Sequence, residues 1–259
     1  MSDSKDKKRS FIVDKESFHR DFIDSITKFK TGGEFLPIHC IGGKLVAFCS
    51  HSVKIKGENK GSVALYIEYE PDSITLEDGE VFYVKDPMRL HKTLNIVKGE
   101  KIVFTVTNSH VRGETENNKF SFRLYDPLIA SKDRTYWNPK KFPKIRERIT
   151  DGVLLSKTAV TEIQSSVNTI NDDDVAVLKY DADVDKNYLF IGDCDKDSIR
   201  FEIPKFDGFS TYSKFSKFLF KVVDKNEVNF GETEDKRLMT IKEESDKFTK
   251  YCFVTKFLD

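Results

Sequence analysis

Apolar residues recur at helical spacing near the start of the chain and then alternate with polar residues in a series of short segments. The first predicted helix covers residues 15–30, where four apolar side chains fall three or four positions apart and Asp14 precedes them as an N-cap. Segments rich in β-branched and aromatic residues follow, with Gly42-Gly43 in hairpin position after the first. These segments predict strands at residues 35–41, 44–50, 62–70 and 81–84.

A second helix is predicted from the dipeptide Asp86-Pro87, because aspartate suits the N-cap and proline suits the first helical position. This helix extends to about Val97 and ends at Gly99. Two further strands are predicted after it, at residues 101–107 and 119–125.

The second half of the chain repeats this order of elements. Ser156 is predicted to cap a third helix that ends near Asn168, and a fourth helix is predicted over residues 211–223. Strands are predicted at residues 174–180, 188–192, 198–203, 227–231, 238–243 and 248–256. Each half therefore reads helix, strands, helix, strands, which predicts an α+β fold of two tandem domains, each with antiparallel sheets and two helices.

Between the two halves, residues 126–150 show no periodic pattern and carry several X-Pro dipeptides. A stretch of this length without regular structure is unusual inside a compact domain, so it predicts an interdomain connector. The predicted division is a flexible N-terminal tail, a first domain, the connector and a second domain, at residues 1–10, 11–125, 126–150 and 151–259.

Composition limits the classes of protein to be considered. Of the 259 residues 38% are apolar and 33% are charged, and no run approaches the roughly 18 consecutive apolar residues of a membrane helix. The first ten residues are polar and lysine-rich, unlike a signal peptide. The four cysteines are scattered without paired spacing, which is typical of reduced thiols. We therefore expect a cytoplasmic protein without a membrane partner.

Charge is balanced overall but unevenly distributed along the chain. There are 43 basic and 43 acidic residues, yet the predicted fourth helix carries Lys214, Lys217 and Lys221 on one stripe and no acid. The other predicted helices add basic residues on their polar faces: Arg20, Lys28, Arg89, Lys92 and Lys157. Such segregation indicates a surface that attracts phosphates without reading a base sequence.

Three short stretches carry a family resemblance. They are residues 81–90 (VFYVKDPMRL), 122–127 (FRLYDP) and 156–163 (SKTAVTEI). Together with the tandem pattern they resemble DNA sliding clamps, most closely the trimeric clamps of tailed phages and proliferating cell nuclear antigen. The resemblance implies a homotrimeric ring that encircles double-stranded DNA, binds a DNA polymerase and a clamp loader, and needs no cofactor. A phage protein of this kind would work in the host cell cytoplasm.

The resemblance also implies roles for particular residues. The eight basic residues given above would contact DNA phosphates. Subunits would join through edge strands, with these residues at the joint: Lys119, Phe120, Phe122 and Leu124 of one copy, and Ile199, Phe201 and Ile203 of the next. Partner peptides would enter an apolar pocket formed by Val53, Leu128, Ile129, Tyr136, Trp137, Phe253 and Phe257.

Motifs for other chemistry fail on their spacing. The triplets of aspartate at residues 181–185 and 193–197 lack the glycine and glutamate that an EF-hand calcium loop requires. No second Cys or His pair at zinc spacing accompanies Cys49 and His51, and no nucleotide-binding or hydrolase motif is present in the sequence. We therefore expect neither a metal nor an enzymatic activity. Two alternatives to a ring remain open: an open monomeric or dimeric processivity subunit, and a viral structural protein without a replication role.

Overall fold

The computed structural model describes residues 9–29, 35–55, 58–126, 142–170, 174–224 and 226–257, and of residues 51, 54–55 and 58–60 it describes the backbone alone. The chain divides into two compact units. The first consists of Met1–Cys49, Tyr66–Pro139 and Ser245–Thr249. The second consists of Ser50–Leu65, Lys140–Glu244 and Lys250–Asp259.

The strands of the first half are β1 (Ser10–Asp14), β2 (Leu36–Ile41), β3 (Lys44–Ile55), β4 (Glu58–Tyr69), β5 (Ser73–Ile74), β6 (Val81–Val84), β7 (Lys101–Val106), β8 (His110–Glu114) and β9 (Lys119–Arg123). Those of the second half are β10 (Val153–Leu155), β11 (Ala176–Asp181), β12 (Lys186–Gly192), β13 (Ser198–Ile203), β14 (Tyr212–Phe215), β15 (Val228–Glu232), β16 (Leu238–Glu244) and β17 (Phe248–Thr255). Helix α1 runs through the consecutive segments Lys15–Ser17, Phe18–Ile23 and Asp24–Lys28, of which the middle one is π-helical. The other helices are α2 (Pro87–Ile96), α3 (Phe142–Arg146), α4 (Lys157–Thr169) and α5 (Phe218–Lys221).

The first unit contains an antiparallel sheet in the order β5-β1-β7-β8-β9, and its other strands follow the order β4-β3-β2-β6. Strand β7 shows why the sheet has a core face, since its side chains alternate between exposed and buried as a two-residue period requires. Phe11 of β1 stacks on Phe104 of β7 with ring centroids 4.8 Å apart, and Phe18 of α1 packs against both. Helix α1 therefore covers the apolar face of this sheet.

Local capping signals fix the starts of three helices. The Asp14 carboxylate accepts a 2.8 Å hydrogen bond from the Ser17 backbone N–H, and Asp86 accepts one of 2.9 Å from that of Arg89. Ser156 accepts from the backbone N–H of Ala159 at the start of α4. All three caps confirm the sequence-based predictions. They could be predicted because a capping side chain bonds its own first turn, independently of the rest of the fold.

The second unit contains an antiparallel sheet in the order β13-β12-β11-β14. Its other strands follow the order β10-β15-β16-β17-β4-β3, where β4 and β3 contribute only their parts within Ser50–Leu65. The aromatic rings of Phe215, Phe220 and Phe230 are fully buried and contact one another, with centroids 5.5–6.4 Å apart. Helices α4 and α5 contact each other, since the Gln164 side-chain amide bonds the carbonyl oxygens of Phe220 and Val223. Two units of antiparallel sheet with few helices confirm the predicted α+β class.

The core of the second unit also holds charge. Lys250 is fully buried and its ammonium group lies 2.6 Å from carboxylates of both Glu243 and Asp224. Burial by itself lowers the pKa of this lysine, but the two carboxylates outweigh that effect and the pKa is raised. Lys250 is therefore held in its charged form inside the core.

The helix predicted over residues 211–223 is wrong. Residues Tyr212–Phe215 form strand β14, which pairs with β11, and only Phe218–Lys221 is helical. The apolar positions in this segment fit a helical period by coincidence. Ser213 and Phe215 are buried while Tyr212 is exposed and Lys214 is half-buried, which is the alternation of a strand.

Five further elements were not predicted from the sequence. Strands β1, β5, β8 and β10 lie where no strand was expected, and the predicted connector contains helix α3. The remaining predicted elements within the described residues are confirmed, with ends that differ by a few residues. The predicted tail, domain limits and connector remain predictions, and residues 1–8 and 127–141 lie outside the described residues.

Candidate nucleic-acid and subunit interfaces

Helices α1 and α2 of the first unit contact each other through two histidines. The rings of His19 and His91 lie 4.6 Å apart, and His91 Nε2 is 3.1 Å from a carboxylate oxygen of Asp24. His19 Nε2 is buried without a hydrogen-bond partner among the described residues. Burial and the neighbouring His91 lower the pKa of His19, whereas Asp24 opposes that shift. The ring contact and the contact with Asp24 hold helices α1 and α2 against each other.

The basic residues of these two helices differ in how they are neutralised. On α1, Arg20 pairs with Asp21 at 2.6 Å and Lys28 pairs with Asp24 at 2.7 Å. On α2, Arg89 and Lys92 are exposed, and no ion pair joins them to any described residue. Among the predicted basic residues of the first unit, those of α2 therefore carry charges that no described carboxylate neutralises.

The second unit places its predicted basic residues very differently from a helical stripe. Lys214 lies on strand β14 and pairs with Asp193 at 3.0 Å, and this hydrogen bond raises the lysine pKa and lowers that of the carboxylate. Lys217 is only 3% exposed, and its ammonium group donates to the carbonyl oxygen of Ile170 at the end of α4. Lys221 and Lys157 are exposed. Lys214, Lys217 and Lys221 therefore do not form the continuous basic stripe on one helix that the sequence predicted.

Both strands that were predicted to join subunits lie at sheet edges. Strand β9 ends the order β5-β1-β7-β8-β9, and β13 ends the order β13-β12-β11-β14. Within the described residues each therefore offers a row of backbone groups that no further strand of its sheet occupies, as an edge strand does. On each strand charged and polar residues face one side, and apolar residues face the other: Phe120 and Phe122 on β9, and Ile199, Phe201 and Ile203 on β13. Leu124 follows β9 and forms a bridge to Val84.

Only part of the predicted peptide pocket falls within the described residues. Val53 and Phe253 are buried, and the Phe253 ring stacks on that of Phe142 at 6.2 Å. Phe257 is half-buried, and its backbone N–H donates to the carbonyl oxygen of Lys214. Leu128, Ile129, Tyr136 and Trp137 lie outside the described residues.

No family model matches the sequence, and no curated protein matches it. Solved structures do match over nearly the whole chain. The PCNA of A. fulgidus, bound to the C-terminal region of FEN-1, is 10% identical with a TM-score of 0.67, and the match covers 97% of this chain and 99% of that one. The PCNA of Entamoeba histolytica is likewise 10% identical, with a TM-score of 0.68 and the same coverage.

The chain has the DNA sliding-clamp fold.

A bacterial clamp shares this fold with a different length. The Helicobacter pylori beta clamp, bound to a DNA ligase peptide, is 13% identical with a TM-score of 0.58, and the match covers 96% of this chain and 66% of that one. This clamp-fold chain therefore corresponds in length to the PCNA chains and to about two thirds of the bacterial chain.

Within the described residues one group of potential metal ligands converges, where atoms of Asp193, Cys194 and Asp195 lie within 4.8 Å of one another. Its first carboxylate already binds Lys214. The predicted absence of metal and of catalysis stays a prediction. No helix in the described part of the chain is long and apolar enough to cross a membrane.

Sequence reasoning missed two sets of residues that the clamp fold brings together. The first is the contact between His19 and His91, which are 72 positions apart and carry no shared local signal. The second is a pair of arginines, Arg112 and Arg123, on neighbouring strands β8 and β9. The missed prediction of β8 concealed this pair.

Proposed function

We propose that this protein is a DNA polymerase sliding clamp, a non-enzymatic subunit that assembles as a homotrimeric ring around duplex DNA. The observation that supports this most strongly is a match of the clamp fold to PCNA over 97% of this chain and 99% of the relative. Fold alone does not determine function, so the proposal also draws on the surfaces that a ring needs. The phage-like stretches named above favour a virus of bacteria as the source.

A joint between copies is proposed to form by antiparallel pairing of β9 in one copy with β13 in the next. We assign a register in which Lys119 lies opposite Glu202 and Ser121 opposite Arg200. In this register the apolar residues Phe120 and Phe122 lie opposite Phe201 and Ile199. Opposite residues then share a face, so both apolar sides meet and both polar sides meet.

Shifts of this register by two residues bring like charges together. One shift puts Lys119 opposite Arg200, and the other puts Arg123 opposite Arg200. Like charges directly opposite each other destabilise a strand pair, whereas the assigned register sets lysine against glutamate. Lys119 now pairs with Glu114, and Glu202 with Lys186, both at exposed sites. In this register Lys119 lies between Glu114 of its own sheet and Glu202 of the adjacent copy, so it binds Glu202 without releasing Glu114.

DNA contact is proposed for the exposed basic residues of the helices: Arg89, Lys92, Lys157 and Lys221. Arg20 and Lys28 contribute less in this proposal, because carboxylates on the same helix neutralise them. Lys214 and Lys217 are excluded from it as long as they keep the partners described above. Contacts of this kind hold DNA by charge and carry no sequence readout, so they permit sliding.

Partner binding is proposed to follow the relatives, two of which are seen with a peptide of FEN-1 or of DNA ligase. We infer that a polymerase and a clamp loader bind this chain by similar short peptides. Among the candidate pocket residues, half-buried Phe257 is better exposed for such contact than buried Val53 and Phe253.

A charge exchange at the joint tests the ring. Lys119→Glu and Glu202→Lys each place like charges opposite each other, so each should lower the solution mass measured by light scattering at a protein concentration where the unmodified chain is assembled. The double variant restores the opposite charges with the order reversed, so it should regain the assembled mass. Lys101→Glu, on the same sheet but away from the edge, serves as the control.

Assembly that neither single variant weakens would contradict the assigned joint. A mass of one chain for the unmodified protein at all concentrations would instead favour an open processivity subunit or a structural protein.

A further inference from the structure

One face of the sheet in the first unit carries a compact group of basic side chains beside its edge. Strands β8 and β9 pair so that His110 lies opposite Arg123 and Arg112 lies opposite Ser121. Arg112, Ser121 and Arg123 are exposed, whereas Val111 and Phe122 between them are buried. The two arginines are thus diagonal neighbours on one solvent-facing surface, at a separation that long side chains bridge.

Neither guanidinium group has a partner within the part of the chain that the structure describes. No hydrogen bond or ion pair joins Arg112 or Arg123 to a described residue. The carboxylate nearest in the strand pairing is Glu114, which Lys119 already binds at 2.7 Å. The ring of His110 is engaged by Ser109 at 2.8 Å. Two uncompensated positive charges therefore flank the Ser121 hydroxyl.

The proposed joint adds a third guanidinium to this surface. In the assigned register Arg200 of the adjacent copy lies opposite Ser121, on the same face as Arg112 and Arg123. Within its own chain Arg200 lies over the ring of Tyr188, 4.7 Å from the centroid, and has no carboxylate partner among the described residues. Three guanidinium groups around one serine repel one another unless an anion lies between them.

We infer that Arg112 and Arg123, completed by Arg200 of the adjacent copy, bind a phosphate-class anion at the joint between subunits. This inference rests on the proposed ring. Guanidinium groups present forked N–H donors that match the oxygens of a tetrahedral oxyanion, and Ser121 supplies a hydroxyl donor between them. Chloride accepts no comparable forked hydrogen bonds, so it screens the charges without joining them. Assembly is therefore promoted by phosphate or pyrophosphate beyond the effect of ionic strength.

The test measures the dissociation constant of the assembly in chloride, inorganic phosphate and pyrophosphate buffers at matched ionic strength and pH. Sedimentation velocity over a dilution series provides this constant. We expect pyrophosphate to tighten assembly about tenfold relative to chloride, the scale of one charge-assisted hydrogen bond. Arg112→Gln, Arg123→Gln and Arg200→Gln should each remove most of that gain. Arg237→Gln, which removes an exposed arginine far along the chain, should keep it.

Equal assembly of the unmodified chain in all three buffers would overturn the anion site and leave the ring intact. An anion effect that persists in Arg112→Gln, Arg123→Gln and Arg200→Gln would also overturn the anion site, because the anion would then act elsewhere. Absence of assembly in every buffer would overturn the joint, and the inference with it. In chloride the Arg123→Gln variant should assemble at least as tightly as the unmodified chain, since it relieves repulsion.

Discussion

The side-chain amide of Gln164 donates a 2.6 Å hydrogen bond to the carbonyl oxygen of Val223. A side chain of helix α4 thereby caps the turn that follows α5. In the other direction, the ammonium group of Lys217 beside α5 donates to the carbonyl oxygen of Ile170, which follows α4. The two helices satisfy each other's terminal carbonyl groups, which otherwise remain unpaired at helix ends. Lys217 is thus a structural residue of the second unit.

The contrast between Lys217 and Lys221 gives a first prediction. Lys217→Met removes a buried ammonium group that donates to the Ile170 carbonyl oxygen, so the free energy of unfolding should fall by about 1–3 kcal/mol. Lys221→Met changes an exposed residue and should alter it by no more than about 0.5 kcal/mol. Urea denaturation checks both values. A Lys217→Met variant that keeps full stability but loses DNA binding would contradict the buried role.

The buried ion cluster gives a second prediction. Lys250→Met leaves Glu243 and Asp224 without their cation, so it should lower the free energy of unfolding by about 3–5 kcal/mol. Adding Glu243→Gln to that variant removes one orphaned charge and should recover part of the loss. Lys242→Met on the neighbouring strand is the matched control, because its pairing with Glu244 is partly exposed. If Lys250→Met proved as stable as Lys242→Met, the cluster would carry no stabilising role.

The histidine pair gives a prediction for pH. The pKa of His19 is lowered from its ordinary value of 6.5, so the unfolded chain binds more protons than the folded one below that pH. The contribution of His19 to stability is therefore complete above pH 6.5 and declines as the pH falls toward its folded pKa. His19→Gln should flatten this decline when urea denaturation is repeated across that range. Unchanged pH dependence of stability in the variant would show that folding does not shift the pKa of His19.

The exposed residues of α2 give a prediction for DNA binding. Arg89→Gln combined with Lys92→Gln removes two phosphate contacts per subunit, so the slope of log affinity against log salt should fall by about two for each subunit that contacts the DNA. Fluorescence anisotropy with unrelated duplexes should show the same loss of affinity for each DNA sequence. Arg237→Gln combined with Lys179→Gln changes the net charge equally at exposed sites elsewhere. Equal losses in both double variants would mean that net charge, and not α2, determines binding.

Sequence reasoning succeeded where the signal was local. Asp86-Pro87 and Ser156 specify helix starts because the capping side chain bonds its own first turn. Residues 211–223 failed because Phe215, Leu219 and Val222 fit a helical period, whereas pairing with β11 makes the first part a strand. Periodicity alone could not reveal that tertiary pairing.

Strand β8 was missed for a different reason. Its sequence HVRGE has charged residues and a glycine, which argue against a strand. A Cβ at Gly113 would lie 2.2 Å from the ring of Phe120 on the neighbouring strand, so any side chain there would displace that ring. The absence of a side chain reflects cross-strand packing that only the folded sheet reveals. The arginine group beside that glycine was missed with the strand.

Light scattering in solution decides whether copies of the chain assemble into the proposed ring. The chain has a mass of 29.9 kDa, so a homotrimeric ring predicts a particle of about three times that value at concentrations above its dissociation constant. We expect this mass for the unmodified chain, its loss in Lys119→Glu and its recovery when Glu202→Lys is added. A mass of one chain at every concentration and in every anion would contradict the ring.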